Sequence, residues 1–395
     1  MDRVRFRGAS LEGNALGDPA ERELIVYLPP SYGAVEGTQG EAVGRRYPVV
    51  MVLAGYAATS TSLLNFKPWE PNLLERYEHL LAQGAAQEAI VVLPDCFTRL
   101  GGSQYLDAPA VGDYQRYLAD DVLGLVDARY RTLARRTSRA IIGKSSGGFG
   151  ALRMGIDRPE AFAVIGSHAG DCAFELSIRP RFVEVAPVYE RHGGAAGFLR
   201  AVEMQGGPRS QAEFHALEIL ALAHVYADGE LPFDPYTALV VPDKWARWLA
   251  HDPLFRDGST ALRDQANSGQ PLHSLQQARL VFLDAGKSDE YGLQFGARML
   301  AQRLRELGVA VDHEEFEGGH MGTAYRYDVS LPKIIAALDL SWPTQGGPQP
   351  DAPSTVRSRA EEPRASTLSS VPPEEPARSA QSSGTSGARA SRTPL

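Results

Sequence analysis

Short apolar runs alternate along the chain with stretches in which apolar residues recur every three or four positions. Such runs are typical of strands buried on both faces, and such spacing is typical of helices with one apolar face. The predicted strands are 21–28, 48–54, 89–94, 140–142, 161–166, 280–283 and 310–316. The predicted helices in the same parts of the chain are 71–83, 114–130, 149–154, 292–307 and 330–339. This alternation predicts an α/β fold whose mostly parallel sheet is flanked by helices.

The alternation breaks over residues 171–278, where no apolar run of similar clarity occurs. Helical patterns in this stretch lie at 194–204, 211–226 and 243–251. A helical insertion of this length in an α/β fold usually lies above the sheet as a lid. Its residues Trp245 and Trp248 are spaced for one helix face, so they either line a cleft in the lid or pack in a core, and packing is favoured.

The composition changes near the C-terminus, where Pro, Ser, Ala, Arg and Gly dominate and no aromatic residue follows Trp342. Such a stretch buries too little apolar surface to offset its ordering entropy. We therefore expect one catalytic domain over 1–342, which includes the helical insertion, and a disordered tail over 343–395.

Composition limits the possible functions. The chain has 395 residues, 43% apolar and 22% charged, which is enough for a large core. Its formal charge of -8, without a dense Lys/Arg run, argues against nucleic acid as a partner. Cys96 and Cys172 are too few for a disulfide framework and are expected to be reduced, buried thiols. No Cys/His set has zinc-ligand spacing, so we expect neither a metal nor another cofactor.

The N-terminal residues 1–7 carry charges but no apolar segment of signal-peptide length follows them. No stretch approaches the roughly 18 consecutive apolar residues that a membrane span requires. A soluble, cytoplasmic protein is the expectation.

Candidate chemistry centres on the hexapeptide Gly143-Lys144-Ser145-Ser146-Gly147-Gly148, between a predicted strand and a predicted helix. A strand, a tight turn with a central serine, and a helix form the nucleophile-elbow arrangement. The turn forces the serine backbone into a strained conformation, so its neighbours must be small. Ser145 is therefore the predicted nucleophile, whereas the pattern gives Lys144 no role.

A serine hydroxyl needs a base within hydrogen-bond reach. His320 lies in a Gly-rich loop immediately past the last predicted strand, where the chain order serine, acid, histidine requires the base. His313 lies inside that strand and is expected to be an ordinary surface or core histidine.

The acid that orients this histidine is predicted to follow the preceding strand. Asp289 is favoured because it lies beyond a Gly turn and can reach a ring nitrogen of the histidine. Asp284, which ends the strand and is expected to brace the loop, stays open as an alternative, as do Glu290 and Asp171.

Two backbone N–H groups are needed for the oxyanion. One is predicted at Ser146, directly after the nucleophile, and the other at Tyr56, in preference to Gly55, in an early strand-to-helix loop. The Tyr56 side chain either lines the acyl pocket or packs, and the same two possibilities hold for Tyr105. These loops all follow predicted strands and are expected, with residues 95–96 and 167–168, to meet at one sheet edge.

Several of these stretches together resemble the esterase branch of the α/β-hydrolase superfamily, which includes esterase D, enterochelin esterase and the mycolyltransferases. They are 26–30, 55–56, 101–105, 143–152 and 286–289 with 319–320. The resemblance implies an α/β-hydrolase fold, a triad of Ser145, Asp289 and His320, and an oxyanion hole at Tyr56 and Ser146. Two departures leave the substrate open: Ala54 stands where many members have histidine, and the insertion is longer than in compact members.

The sequence thus predicts a serine esterase that cleaves a small or medium carboxylic ester through an acyl-enzyme. Acyl transfer to another alcohol stays open as a second activity. A hydrolase fold kept as a non-catalytic binding module is a third possibility, against which the intact set of Ser145, Asp289 and His320 argues.

Overall fold

The computed structural model describes residues 1–33, 44–256 and 271–341. The predicted tail at 343–395 lies outside the described residues, as does part of the insertion.

The strands form two sheets of unequal size. In chain order they are β1 (Asp2–Arg7), β2 (Glu21–Tyr27), β3 (Val49–Leu53), β4 (Ile90–Pro94), β5 (Asp107–Ala108), β6 (Gly112–Asp113), β7 (Arg139–Lys144), β8 (Val164–His168), β9 (Leu280–Gly286) and β10 (Val311–Phe316). Eight of them form one sheet in the order β1-β2-β4-β3-β7-β8-β9-β10, and β5 pairs only with β6.

From β4 across to β10 every pairing in the large sheet is parallel, whereas β1 with β2 and β2 with β4 are antiparallel. Parallel strands bring their carboxyl ends to one edge, which is where α/β folds bind ligands. The predicted α/β architecture with a mostly parallel sheet is confirmed.

Helices cover both faces of this sheet. They are α1 (Leu73–Ala82), α2 (Tyr114–Arg116), α3 (Leu123–Arg129), α4 (Ser146–Asp157), α5 (Phe174–Ser177), α6 (Phe182–Arg191), α7 (Ala195–Gln205), α8 (Gln211–Ala227), α9 (Pro242–Leu249), α10 (Pro253–Arg256), α11 (Leu293–Glu306) and α12 (Tyr327–Ala336). A π-helical segment, Tyr117–Val122, joins α2 to α3.

The two faces of the sheet carry separate hydrophobic cores because strand side chains alternate in direction. On β3, Met51 packs into a core shared with α3, α4 and α8. Its neighbours Val50 and Val52 pack into a second core built on α1 and α12. Burial on both faces explains why this strand is apolar throughout.

The structure differs from the sequence prediction at several elements. Strands β1, β5 and β6 and helices α5, α6 and α10 were not predicted. The strand predicted at 161–166 lies instead at Val164–His168, so Ser167 and His168 belong to β8 rather than to a loop.

Within the described part of residues 171–278 the chain forms helices α5 to α10 and no strand of the sheet. Trp245 and Trp248 are buried there against Phe182, with ring centroids 5.4 and 6.2 Å away. Core packing is therefore the correct interpretation for both tryptophans. No helix that the structure describes combines the length and the apolar character needed to cross a bilayer.

Candidate active site

Ser145 occupies a strained turn between β7 and α4. Its backbone angles are φ 57° and ψ -123°, a region that side-chain-bearing residues rarely adopt. Conformations of this kind cost on the order of 1–3 kcal/mol and persist only where the surroundings enforce them. A Cβ atom at Gly143 would overlap the backbone of Gly147, and one at Gly147 would overlap the carbonyl of Leu53. The predicted need for small neighbours is confirmed.

The structure brings Ser145, His320 and Asp289 together. His320 Nε2 lies 3.0 Å from Ser145 Oγ, and His320 Nδ1 lies 2.9 Å from Asp289 Oδ2. His320 and Asp289 are each 5% exposed. A carboxylate can only accept, so Nδ1–H donates to Asp289 and Nε2 is left to accept the serine proton.

Glu290, one of the alternative acids, supports the histidine loop through its backbone. Its Oε2 accepts the N–H of His320 at 2.7 Å. A Cβ atom at Gly319 would overlap the Glu290 carboxylate, so a larger residue there would displace that side chain from its hydrogen bond. Glu290 therefore holds the position of the loop and does not contact the imidazole nitrogens.

The other two alternative acids also have different surroundings. Asp284 lies within β9, where its carboxylate accepts from His168 Nδ1 at 2.7 Å and from Arg326 Nε at 2.8 Å. Desolvation and the nearby Glu218 carboxylate raise the pKa of Asp171 to about 6. Because both ring nitrogens of His320 are already engaged, neither carboxylate is its partner.

The loop that contains Gly55 and Tyr56 lies beside the elbow. A Cβ atom at Gly55 would lie 3.5 Å from the Lys144 carbonyl oxygen and 3.7 Å from Ser145 Cβ. Within the residues that the structure describes, the backbone N–H groups of Tyr56 and Ser146 have no hydrogen-bond partner. Two donors are thus available next to the serine hydroxyl.

The side chains of Tyr56 and Tyr105 pack around this loop. Tyr56 Oη donates to the Leu100 carbonyl at 2.7 Å, and its ring meets Phe214 edge-on with centroids 5.3 Å apart. Tyr105 is buried, and its hydroxyl donates to the Ala54 carbonyl at 2.6 Å. Tyr105 therefore packs, which is one of the two roles predicted for it, whereas Tyr56 is only partly buried and its place in the acyl pocket stays a prediction.

The sequence did not point to Gln104. Its Oε1 accepts a hydrogen bond from Ser146 Oγ at 2.9 Å, and the residue is buried. Gln104 has φ 50° and Tyr105 has φ 56°, so the loop adopts a left-handed backbone at two consecutive positions. The Gly101-Gly102 pair marks a tight loop, but no pattern in the sequence indicates which side chain reaches the elbow.

Lys144 and His313 lie outside the triad. Burial lowers the pKa of Lys144, an effect that the carboxylates of Asp289 and Glu290 partly offset. His313 lies within β10, as expected, and burial lowers its pKa as well.

A mostly parallel eight-stranded sheet with a strained serine at a strand–helix junction defines the α/β-hydrolase fold. The sequence model of the Esterase family (Putative esterase) matches residues 18–338, so the chain belongs to this family.

Solved structures with the same fold include a ferulic acid esterase, at TM-score 0.52 and 17% identity, covering 86% of this chain and 98% of that one. An S-formylglutathione hydrolase from Agrobacterium tumefaciens has TM-score 0.50 and 16% identity, covering 85% of this chain and 95% of that one. At these identities the likeness concerns the fold alone.

A curated relative is an endo-1,4-beta-xylanase/feruloyl esterase of Xylanibacter ruminicola, 28% identical over 146 residues. The match covers 37% of this chain and 19% of that protein, so it spans about a fifth of the length of the relative.

Proposed function

We propose that this protein is a serine carboxylic-ester hydrolase that acts on small or medium esters through an acyl-enzyme. The observation that carries the proposal is the hydrogen-bonded line from Ser145 Oγ through His320 to Asp289, which begins at a strained elbow. Membership of the Esterase family supports ester cleavage as the reaction.

In the first step Ser145 Oγ forms a bond to the ester carbonyl carbon while its proton passes to His320 Nε2. Asp289 holds the imidazole in the required tautomer and stabilises the imidazolium. The carbonyl oxygen becomes negatively charged and accepts hydrogen bonds from the N–H groups of Tyr56 and Ser146. One donor of this kind is typically worth about 10²–10³ in kcat.

In the second step the bond to the alcohol oxygen breaks, and that oxygen takes the proton from His320 as the alcohol leaves. Water then attacks the acyl-serine and gives its proton to His320. When the second tetrahedral intermediate collapses, the carboxylic acid is released and the proton returns to Ser145 Oγ. Every proton in this cycle passes through Nε2.

The helical insertion is proposed to form the lid of the substrate site. Support comes from α8, whose Phe214 contacts the ring of Tyr56 in the loop beside the elbow. Because one curated relative includes feruloyl esterase activity in its name, esters of ferulic acid are suitable first substrates beside chromogenic p-nitrophenyl esters.

The chain offers a matched control for a test of the nucleophile. Ser330 Oγ also lies within hydrogen-bond distance of a histidine, His168 Nε2, at 2.9 Å, but Ser330 is completely buried. Ser145→Ala should lower kcat on p-nitrophenyl esters by about 10⁶-fold and abolish fluorophosphonate labelling. Ser330→Ala should keep both the kcat and the labelling of the wild-type protein.

Turnover by Ser145→Ala at near wild-type rate, or failure of the wild-type protein to react with the fluorophosphonate, would overturn the proposal. Product analysis with added alcohols separates hydrolysis from acyl transfer, because only a transferase yields a new ester as its main product.

A further inference from the structure

Helix α8 of the insertion contacts both halves of the proposed catalytic machinery. Phe214 meets the ring of Tyr56 on the oxyanion side, with centroids 5.3 Å apart and planes at 69°. The next residue, His215, has Nε2 3.3 Å from Tyr291 Oη on the histidine side. One turn of α8 thus contacts both the loop that contains Tyr56 and the loop that contains Tyr291.

Tyr291 lies directly against the triad. Its ring meets that of His320 edge-on, with centroids 5.0 Å apart and planes at 87°. Its backbone N–H donates to Asp289 Oδ1 at 3.0 Å. The tyrosine therefore contacts both residues that define the orientation of the imidazole.

The insertion holds Tyr291 through two further groups. His215 Nδ1 lies 2.8 Å from Glu184 Oε1 of α6, and since the carboxylate accepts, Nε2 is left to accept the tyrosine hydroxyl. The Arg181 guanidinium lies 5.4 Å from the centroid of the tyrosine ring and forms an ion pair with Glu218 of α8.

We propose that Tyr291 and His215 are positioning residues that hold the His320 imidazole in line with Ser145 Oγ. This inference rests on the proposed esterase function. Orientation of this kind matters because a displacement of about 1 Å at a reacting group can cost about 10²-fold in rate. The insertion thereby contributes to the chemical step as well as covering the site.

The test removes either the donor or the acceptor of the hydrogen bond between Tyr291 Oη and His215 Nε2. Tyr291→Phe keeps the ring against His320 and loses only the hydroxyl, whereas His215→Ala loses the acceptor. Each variant should lower kcat about 5-fold, the size expected for one hydrogen bond, with KM changed less than about twofold. The double variant should lose no more than His215→Ala alone, because that variant already removes the acceptor of the Tyr291 hydroxyl.

A control is available on the same helix. His224 Nδ1 donates within α8 to the Leu220 carbonyl, at 2.8 Å, so His224→Ala should leave kcat and KM unchanged. Unchanged kcat in Tyr291→Phe and His215→Ala, strictly additive losses, a change confined to KM, or an equal loss in His224→Ala would each overturn the inference.

A second measurement does not depend on esterase activity. The proton on His320 Nδ1, bonded to Asp289, should give a downfield resonance in ¹⁵N-histidine-labelled full-length protein, assigned through its loss in His320→Gln. His215→Ala should shift or broaden this resonance and His224→Ala should not; an identical resonance in His215→Ala overturns the inference. If the wild-type protein cleaves no ester, the proposed function fails while this comparison still decides whether His215 positions the imidazole.

Discussion

His168 and His320 make the same pair of hydrogen bonds, each to an aspartate through Nδ1 and to a serine through Nε2. For His168 the distances are 2.7 Å to Asp284 and 2.9 Å to Ser330. The corresponding distances at His320 are 2.9 and 3.0 Å. The described residues therefore contain two serine–histidine–aspartate arrangements, one formed by β8, β9 and α12 and one formed at the turn and loops that follow β7, β9 and β10.

The backbone and the surroundings of the serine distinguish the two arrangements. Ser330 lies within helix α12 and is completely buried. Ser145 is half-buried on a strained turn, beside two N–H groups without partners among the described residues. A catalytic serine must be accessible to its substrate, and hydrogen-bond donors must lie beside it to stabilise the charge that develops. Only the arrangement at the elbow meets both requirements.

Asp289→Asn should lower kcat on aryl esters by about 10⁴-fold with little change in KM, because the amide favours the wrong imidazole tautomer. Steady-state kinetics checks this. Glu290→Gln is the matched control, since Glu290 binds only the loop backbone, and its loss should be about 10-fold or less. A variant Asp289→Asn that keeps most of its kcat would assign the acid role to another residue.

Asp284→Asn should destabilise the protein by about 2 kcal/mol, because His168 and Arg326 lose the charge of a buried carboxylate, although Glu314 still pairs with Arg326. Denaturant unfolding measures this loss. The kcat of the folded variant should stay within about twofold of wild type, since Asp284 does not contact His320. Loss of kcat without loss of stability would contradict a purely structural role.

Gln104→Ala should lower kcat about 5-fold, because it releases the side chain of Ser146, whose N–H is a proposed oxyanion donor. Ser146→Ala should have the same effect, and the double variant should add nothing further. Gln302→Ala, which removes an exposed glutamine side chain of α11 that contacts Glu306, serves as the control and should leave kcat unchanged. Additive losses in the double-variant kinetics would show that the two side chains act independently.

Asp171→Asn should stabilise the protein at neutral pH and have a smaller effect near pH 4. The pKa of Asp171 is raised from its ordinary 3.8 to about 6, so the folded state binds its proton more tightly than the unfolded chain. Wild-type stability therefore falls as pH rises through this range, and the asparagine does not titrate. The difference should reach on the order of 2 kcal/mol above pH 7, allowing for partial exposure.

Denaturant unfolding of both proteins from pH 4 to pH 8 tests this prediction. A stability difference that is the same at every pH would show that the aspartate keeps its ordinary pKa.

Strands with apolar side chains on both faces could be predicted from the sequence, as β3 and β4 were. Strand β1 was missed and the end of β8 was misplaced, for different reasons. The edge strand β1 needs only one apolar face, so Val4 and Phe6 among charged residues gave a weak signal. In β8 the polar His168 looks like a loop residue, because its partner Asp284 lies 116 positions away in the sequence.

Ser145, Asp289 and His320 could be predicted because each follows a strand and because their order along the chain is constrained by the fold. Gln104 could not, because its contact depends on a left-handed loop backbone that no local pattern specifies. Phe214 and His215 could not either, since helical spacing shows that a helix forms but not which loop it packs against.

The strand order also links this site to the way the chain folds. Ser145 follows β7 and Asp289 follows β9, and β8 lies between these two strands. Ser145 and His320 are 175 positions apart, and β8 and β9 lie between the strands that precede them, so we expect their hydrogen bond to form only once those strands have paired. Contacts between such distant positions form slowly because large loops must close first. During refolding, fluorophosphonate labelling should therefore recover only when the sheet is complete, and later than the helical signal.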